Sequence, residues 1–335
     1  MSKITRRSAL FGASTATAIA ACSYNSTGSV TSLAELPEES PQAAPETDNS
    51  MTDNSIAPEG WESGITIANR IANGETSSLE QVNAAIKRAT AVNGDINALA
   101  STYYEEGREE ALHPHPGPFR GVPTFMKDFI DWKGQQSIWG SRAFVGNIAD
   151  KDAPFATAWR NAGLISLGKT TVPERGLIAS TEPLVTGPTR NPWDLSRSPS
   201  GSSGGSAALV AARVVPFASA SDGGGSIRMP ASVCGVFGLK PSRARLMRHS
   251  NGPAPVVDIS VHHAVTITVQ DSIELFRLTE TSEGYERLGD LRPLDRKLRI
   301  GFAPQPADKN QRTSPETLAA VTDVANLCTQ LGHDG

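Results

Sequence analysis

An α/β fold is predicted by two stretches in which strand and helix patterns follow one another and by a third that suits a helix against a sheet. Ala153 to Ala162 is helical in pattern and passes through Gly163, at a C-cap position, into the strand-like Leu164-Ile165-Ser166-Leu167-Gly168. Ser206 to Ala212 is rich in alanine, which suits a helix packed closely on a sheet. Lys297-Leu298-Arg299-Ile300-Gly301-Phe302 alternates as a strand, and the helical stretch Pro315 to Leu331 follows it. Strands and helices that alternate must each bury an apolar face against the other, and layered α/β architecture does this. No internal repeat is visible.

Taken in order, the chain opens on a targeting segment. Arg6-Arg7 stand ahead of a weakly apolar, small-residue run to Ala21, the pattern of a Tat-type export signal. Ile19-Ala20-Ala21-Cys22 resembles a bacterial lipobox, whose cysteine is lipidated; the other reading is an ordinary cleaved signal with Cys22 incidental. The expectation is a Tat-type or lipoprotein signal over 1–22, lipidation at Cys22, and export to the periplasm or cell envelope of a bacterium. Residues 23–58 are Ser, Thr, Pro, Glu, Asp and Asn with scattered small apolar residues. They bury too little surface to offset the entropy of ordering and read as a disordered tether. The folded domain is expected over 59–335.

Within it, Ser78 to Lys87 places Leu79, Val82, Ala85 and Ile86 at helical spacing, with Ser77 or Ser78 as the cap. His113 to Pro118 is loop by composition. Gly121 to Ile130 reads as a strand entering a loop, with Lys127 near its end. The last helix carries Leu318, Val321, Ala325, Cys328 and Leu331 on one face, with Pro315 in its first turn and Gly332 just beyond it.

Composition narrows the function. A net charge of -4 over 335 residues leaves no basic footprint for nucleic acid. No apolar run reaches the roughly 20 residues that a membrane helix needs, so a membrane partner enters only through the N-terminal anchor. Three cysteines make no disulfide framework, and Cys234 and Cys328 read as buried free thiols. His113, His115, His262 and His263 lack companions at metal-ligand spacing, so no metal is expected, and no cofactor. A homodimer is among the assemblies the sequence allows.

Three segments carry chemistry. Gly223-Gly224-Gly225 before Ser226 allows consecutive amides to converge without Cβ interference, which makes a nest for an oxyanion beside a nucleophilic hydroxyl. A plain glycine turn has the same composition, whereas a phosphate loop of Walker type lacks its Gly-Lys-Ser/Thr. Gly201-Ser202-Ser203-Gly204-Gly205 fits a G-x-S-x-G elbow centred on Ser203, which needs an acid and a histidine downstream; His249, His262, His263 and His333 have no distinctive context. Ser166-Leu167-Gly168-Lys169 fits S-x-x-K without its Ser-Asp-Asn companion. Lys127 lies near Asp128 and Asp131 and reads as an ordinary ion pair, or as a base if the apolar neighbours Val122, Pro123, Phe125, Met126, Phe129 and Ile130 desolvate it. Cys234, without a local histidine, reads as core.

Together Gly121 to Lys127, Gly201 to Ser206, Asp222 to Ser232 and Cys234 to Pro241 resemble the amidase signature family of serine hydrolases. Thr181-Glu182-Pro183 and Thr189-Arg190-Asn191-Pro192-Trp193 resemble its branch of cyclic 6-aminohexanoate dimer hydrolases. The resemblance implies a mixed central sheet covered by helices, and hydrolysis of a small-molecule amide through a seryl acyl-enzyme. Ser226 then corresponds to the nucleophile, Ser202 to a bridging serine after a cis peptide at Gly201–Ser202, and Lys127 to the base. The amides of Gly223, Gly224, Gly225 and Ser226 would form the oxyanion hole, with Ser203, Asp222 and Arg228 in support.

Departures from the family pattern are Ser200, Ala220 and Ala244, which stand where many members have glycine. Members also continue beyond the point where this chain ends, so a C-terminally truncated fold is expected. The alternative to an active amidase is a truncated, inactive remnant or binding module.

Overall fold

The structure is a computed structural model that describes residues 62–248, 259–281, 287–289, 296–306 and 310–334. The signal, Cys22, the tether and His249 lie outside the described residues. The chain divides into two compact units, Met1–Glu286 and Arg287–Gly335.

The first unit opens with helix α1 (Gly64–Ala72) and helix α2 (Ser78–Ile96). Ser77 caps α2: its hydroxyl accepts the Glu80 N–H while the Glu80 carboxylate accepts the Ser77 N–H, a reciprocal box that satisfies two amides at the helix end. The helix runs nine residues past Lys87, because Ala89 and Ile96 continue the buried face that Val82, Ala85 and Ile86 begin. Strand β1 (Leu99–Thr102), helix α3 (Tyr104–Leu112), strand β2 (Pro123–Lys127), helix α4 (Pro154–Asn161) and strand β3 (Ile165–Thr170) follow. Helix α5 (Gly204–Ala211), strand β4 (Phe217–Asp222), helix α6 (Arg228–Cys234), strand β5 (Phe237–Gly238), strand β6 (Val261–Thr266) and helix α7 (Val269–Thr279) complete the unit.

Two three-stranded sheets result, β1-β3-β2 and β4-β6-β5. The first is mixed, with β3 antiparallel to β1 and parallel to β2, and the second is antiparallel. They meet at β2 and β4 through side chains: the Thr124 hydroxyl donates to the Phe217 carbonyl (3.0 Å) and the Lys127 N–H to Ser219 Oγ (2.7 Å). Two apolar layers flank them. Phe125, Ile165 and Leu167 pack with α2 and α5, while Val122 and Met126 pack with α1, α4 and α7. Phe125 and Met126 therefore face opposite ways, and Lys127, two residues after Phe125, shares the α5 side. Cys234 is a buried free thiol among Ala207 and Ala211, and burial pushes it up to about 12; Cys328 is free and half-buried.

One carboxylate joins the ends of the unit. Asp271 in the first turn of α7 accepts the N–H groups of Gly64 and Ile65 (3.0 Å each), which are unpaired donors at the start of α1. Within β6, His263 is buried, hydrogen-bonds Ser272 Oγ at 2.7 Å, and is pushed by burial down to about 3. An unfolded histidine titrates near pH 6.5, so between those values the unfolded chain holds a proton that the folded chain refuses. Stability is therefore expected to fall as pH drops from 6.5 toward 3. Urea midpoints across this range should decline less steeply in His263→Leu than in the wild type.

Of the three departures from glycine, two fall on left-handed backbone, Ser200 (φ 63°) and Ala244 (φ 60°), where a Cβ is strained. Ala220 lies within β4 and needs no such freedom.

In the second unit, helix α8 (Pro315–Gln330) is capped by Ser314, whose hydroxyl accepts the Thr317 N–H, and Gly332 follows it at φ 87°. Val324, Leu327 and Leu331 are exposed. The strand expected over 297–302 reduces to one parallel bridge between Arg299 and Asp334, with Ile300 N–H donating to the Asp334 carbonyl at 2.7 Å. A strand needs a backbone partner along its length, and among the described residues Asp334 is the one that pairs with this segment through the backbone.

Candidate active site

Lys127 ends β2 with its side chain on the α5 side of the sheet, where the backbone turn at 200–203 leads into α5. It is fully buried. Its Nζ lies 2.8 Å from Ser202 Oγ, 2.8 Å from Ser203 Oγ and 3.3 Å from the Ser221 carbonyl oxygen. The Phe129 ring centroid is 5.1 Å away. Burial holds this amine well below the ordinary lysine value, against the opposing charge of Asp222. Lys127 is thus the desolvated lysine of the two readings, and it makes no ion pair within 4 Å among the described residues.

The two serines differ in how they are bound. Ser203 is enclosed: its hydroxyl contacts Lys127, donates to the Ser221 carbonyl and accepts the Ser221 N–H, both at 3.3 Å. Ser202 Oγ has Lys127 as its partner and follows a cis peptide at Gly201. No imidazole bonds Ser203 among the described residues, and His263 is committed to Ser272. Among the described residues the G-x-S-x-G elbow therefore has no histidine partner.

The glycine-rich turn brings Ser226 alongside. Its carbonyl accepts the Ser203 N–H at 3.2 Å, while its half-buried hydroxyl has no hydrogen-bond partner among the described residues. Asp222 braces the turn. Its buried carboxylate accepts the N–H groups of Gly225 (2.7 Å) and Ile227 (3.2 Å) and a bidentate pair from Arg228 (2.8 and 3.0 Å). Burial opposes charge on Asp222, but the Arg228 and amide hydrogen bonds outweigh it and hold the carboxyl at about 2. The Gly225 amide is therefore spent within the protein. Of the four amides expected to form the oxyanion hole, that of Gly225 is held by Asp222 as part of the brace.

Residues with no signal of their own complete the site. Ser219 Oγ accepts the Lys127 backbone N–H and the Ser221 carbonyl faces the amine, but β4 reads as small, wholly buried residues without alternation. Gly176 has φ 68°; a Cβ there would stand 2.9 Å from the Phe129 ring and 3.3 Å from Ser202 Oγ, so this glycine lets the loop close on the serine.

Fold and site define a class: an α/β protein in which a buried lysine, two buried serines and a glycine-rich turn with a third serine meet where two strands end. The chain belongs to the Amidase family, whose model matches residues 80–334. It is 40% identical over 273 residues to AmiC of Mycobacterium leprae, a match covering 80% of this chain and 58% of that protein. It is 37% identical over 296 residues to the 6-aminohexanoate-cyclic-dimer hydrolase of Paenarthrobacter ureafaciens, covering 82% and 58% respectively. A solved structure of 6-aminohexanoate cyclic dimer hydrolase complexed with substrate superposes with a TM-score of 0.74 at 34% identity, covering 82% of this chain and 60% of that one. The chain thus spans less than two thirds of the length of these relatives.

Proposed function

We propose that this chain carries the acylation chemistry of an amidase that cleaves a carboxylic amide C–N bond, with Ser226 as nucleophile, Ser202 as proton relay and Lys127 as base. The observation that carries this reading is the fully buried Lys127 amine set 2.8 Å from two serine hydroxyls. A neutral amine has two N–H donors and one lone pair, and three oxygens surround Lys127 Nζ. Ser203 Oγ and the Ser221 carbonyl take the two N–H groups, so the lone pair falls to Ser202, whose hydroxyl then donates. That assignment separates Ser202 from Ser203 although their distances to the lysine are equal.

In the forward step Lys127 takes the Ser202 proton, Ser202 takes the Ser226 proton, and Ser226 Oγ bonds to the amide carbon. Negative charge develops on the carbonyl oxygen beside the amides of Gly223, Gly224 and Ser226. The relay then runs backward, the leaving amine takes the proton, and water hydrolyses the acyl-enzyme by the same route.

The likeness to 6-aminohexanoate-cyclic-dimer hydrolases supports small amides as the substrate class. Arg6-Arg7 and Cys22 support export with a lipid anchor. The experiment is to incubate the purified chain with a panel of small amides and with an alkyl fluorophosphonate, then digest and weigh the peptides. Covalent mass is expected on Ser226; mass on Ser202 or Ser203 instead, or none, would reject the assignment.

A further inference from the structure

Lys169 is a second fully buried lysine, and the relay has no use for it. It belongs to the Ser166-Leu167-Gly168-Lys169 motif. In a regular strand, residues three apart point to opposite faces. Here β3 carries one extra residue against β2: Ser166 pairs with Thr124, but Lys169 pairs with Met126. That bulge, at Gly168, turns Ser166 and Lys169 to the same face, away from Lys127. A Cβ at Gly168 would stand 2.2 Å from the Ser101 carbonyl oxygen, so the bulge has no room for a side chain.

Both residues grip the segment that follows β2. Ser166 and Gln135 exchange two hydrogen bonds at 3.1 Å, and Lys169 Nζ donates to the Ile130 carbonyl and to Ser137 Oγ (3.2 Å). Buried Asp128 holds the far end of the segment, accepting the N–H groups of Ile138 (2.9 Å) and Gly140 (3.1 Å). Beyond them, the Trp139 carbonyl accepts the Arg175 N–H (2.9 Å) and Ser141 Oγ donates to Glu174 (2.6 Å). This fixes the loop whose Gly176 lies between Phe129 and Ser202.

We propose that Ser166, Lys169 and Asp128 form a positioning device that keeps residues 129–141 closed, so that Phe129 and Gly176 exclude water from Lys127. The proposal rests on the reading of Lys127 as the base. The charges that face the groups involved are compatible with it. Asp222 faces Lys127, and Asp128, Asp131 and Asp152 face Lys169. Burial draws Lys169 down to about 8 and pushes Asp128 up to about 7, each opposed by the charge of the other, so neither is comfortable alone.

The test is an NMR titration of 13Cε-labelled lysine in the full chain, with the Lys127 signal assigned by its loss in Lys127→Met. In Lys169→Met, which keeps the side-chain length and removes the charge, water should reach Lys127 and its midpoint should rise by about one unit or more, toward the ordinary value near 10.4. If that variant does not fold, Ser166→Ala, which leaves both Lys169 bonds in place, should move the midpoint the same way by less. A folded variant with a lower melting temperature but an unmoved Lys127 midpoint would reduce the device to a structural brace and overturn the proposal. The titration needs no turnover. Absence of the phosphonate label on wild-type Ser226 would therefore count against the amidase reading separately.

Discussion

Ser226→Ala is expected to lower kcat for amide hydrolysis by about 10,000-fold or more, the loss typical when a covalent nucleophile is removed. The same variant should melt at the wild-type temperature. The reason is local: Ser226 holds its place through its carbonyl, which accepts the Ser203 N–H, and its hydroxyl has no partner among the described residues. Alanine removes one oxygen and leaves the turn, the Asp222 brace and the three remaining amides where they are. Two outcomes sink the assignment: a residual rate within tenfold of wild type, or a fall in activity that tracks a fall in melting temperature.

Lys127→Met should cost about 1,000-fold in kcat/KM, within the range for loss of a general base. It should not lower the melting temperature. Lys127 is held well below the ordinary lysine value by burial. At neutral pH the unfolded chain therefore carries a proton on Lys127 that folding must remove, which disfavours the folded state. Methionine has no proton to release, and its thioether suits a site bordered by the Phe129 ring. Activity and stability should thus move in different directions, as expected of a group kept for chemistry. The wild-type pH profile follows from the same sign. The base works neutral, so kcat/KM should rise with pH through the depressed Lys127 value and level off well below pH 10. A profile still climbing at pH 10 would mean an undepressed lysine.

These expectations join parts of the molecule that were unequally visible in the chain. The capped start of α2 could be read to within one residue, as Ser77 or Ser78, since a helix cap needs only local residues. The end of α2 could not, because what continues the helix is the burial of Ala89 and Ile96 against residues far away in sequence. Strands β4 and β6 went unread: buried on both faces, they show no alternation, and Ala218-Ser219-Ala220-Ser221 and His262-His263 resemble no strand pattern. The segment 297–302 erred in the other direction. It alternates as a strand should, yet among the described residues its strand pairing is a single bridge to Asp334.

For the site, residue type and glycine content determined the candidates Lys127, Ser202 and Ser226, because flexible turns and hydroxyls leave a local mark. The tertiary structure decided what each can do. Whether Lys127 is an ion pair or a base depends on dielectric and on the oxygens around it, both supplied by strands and turns distant in sequence. Whether Gly225 offers its amide to a substrate depends on where Asp222 points. Whether Ser166 and Lys169 are a catalytic pair or a loop clamp depends on one bulge that changes the face they share. Spacing along a chain is a local property, whereas protonation, hydrogen-bond occupancy and facing are set by what packs against it.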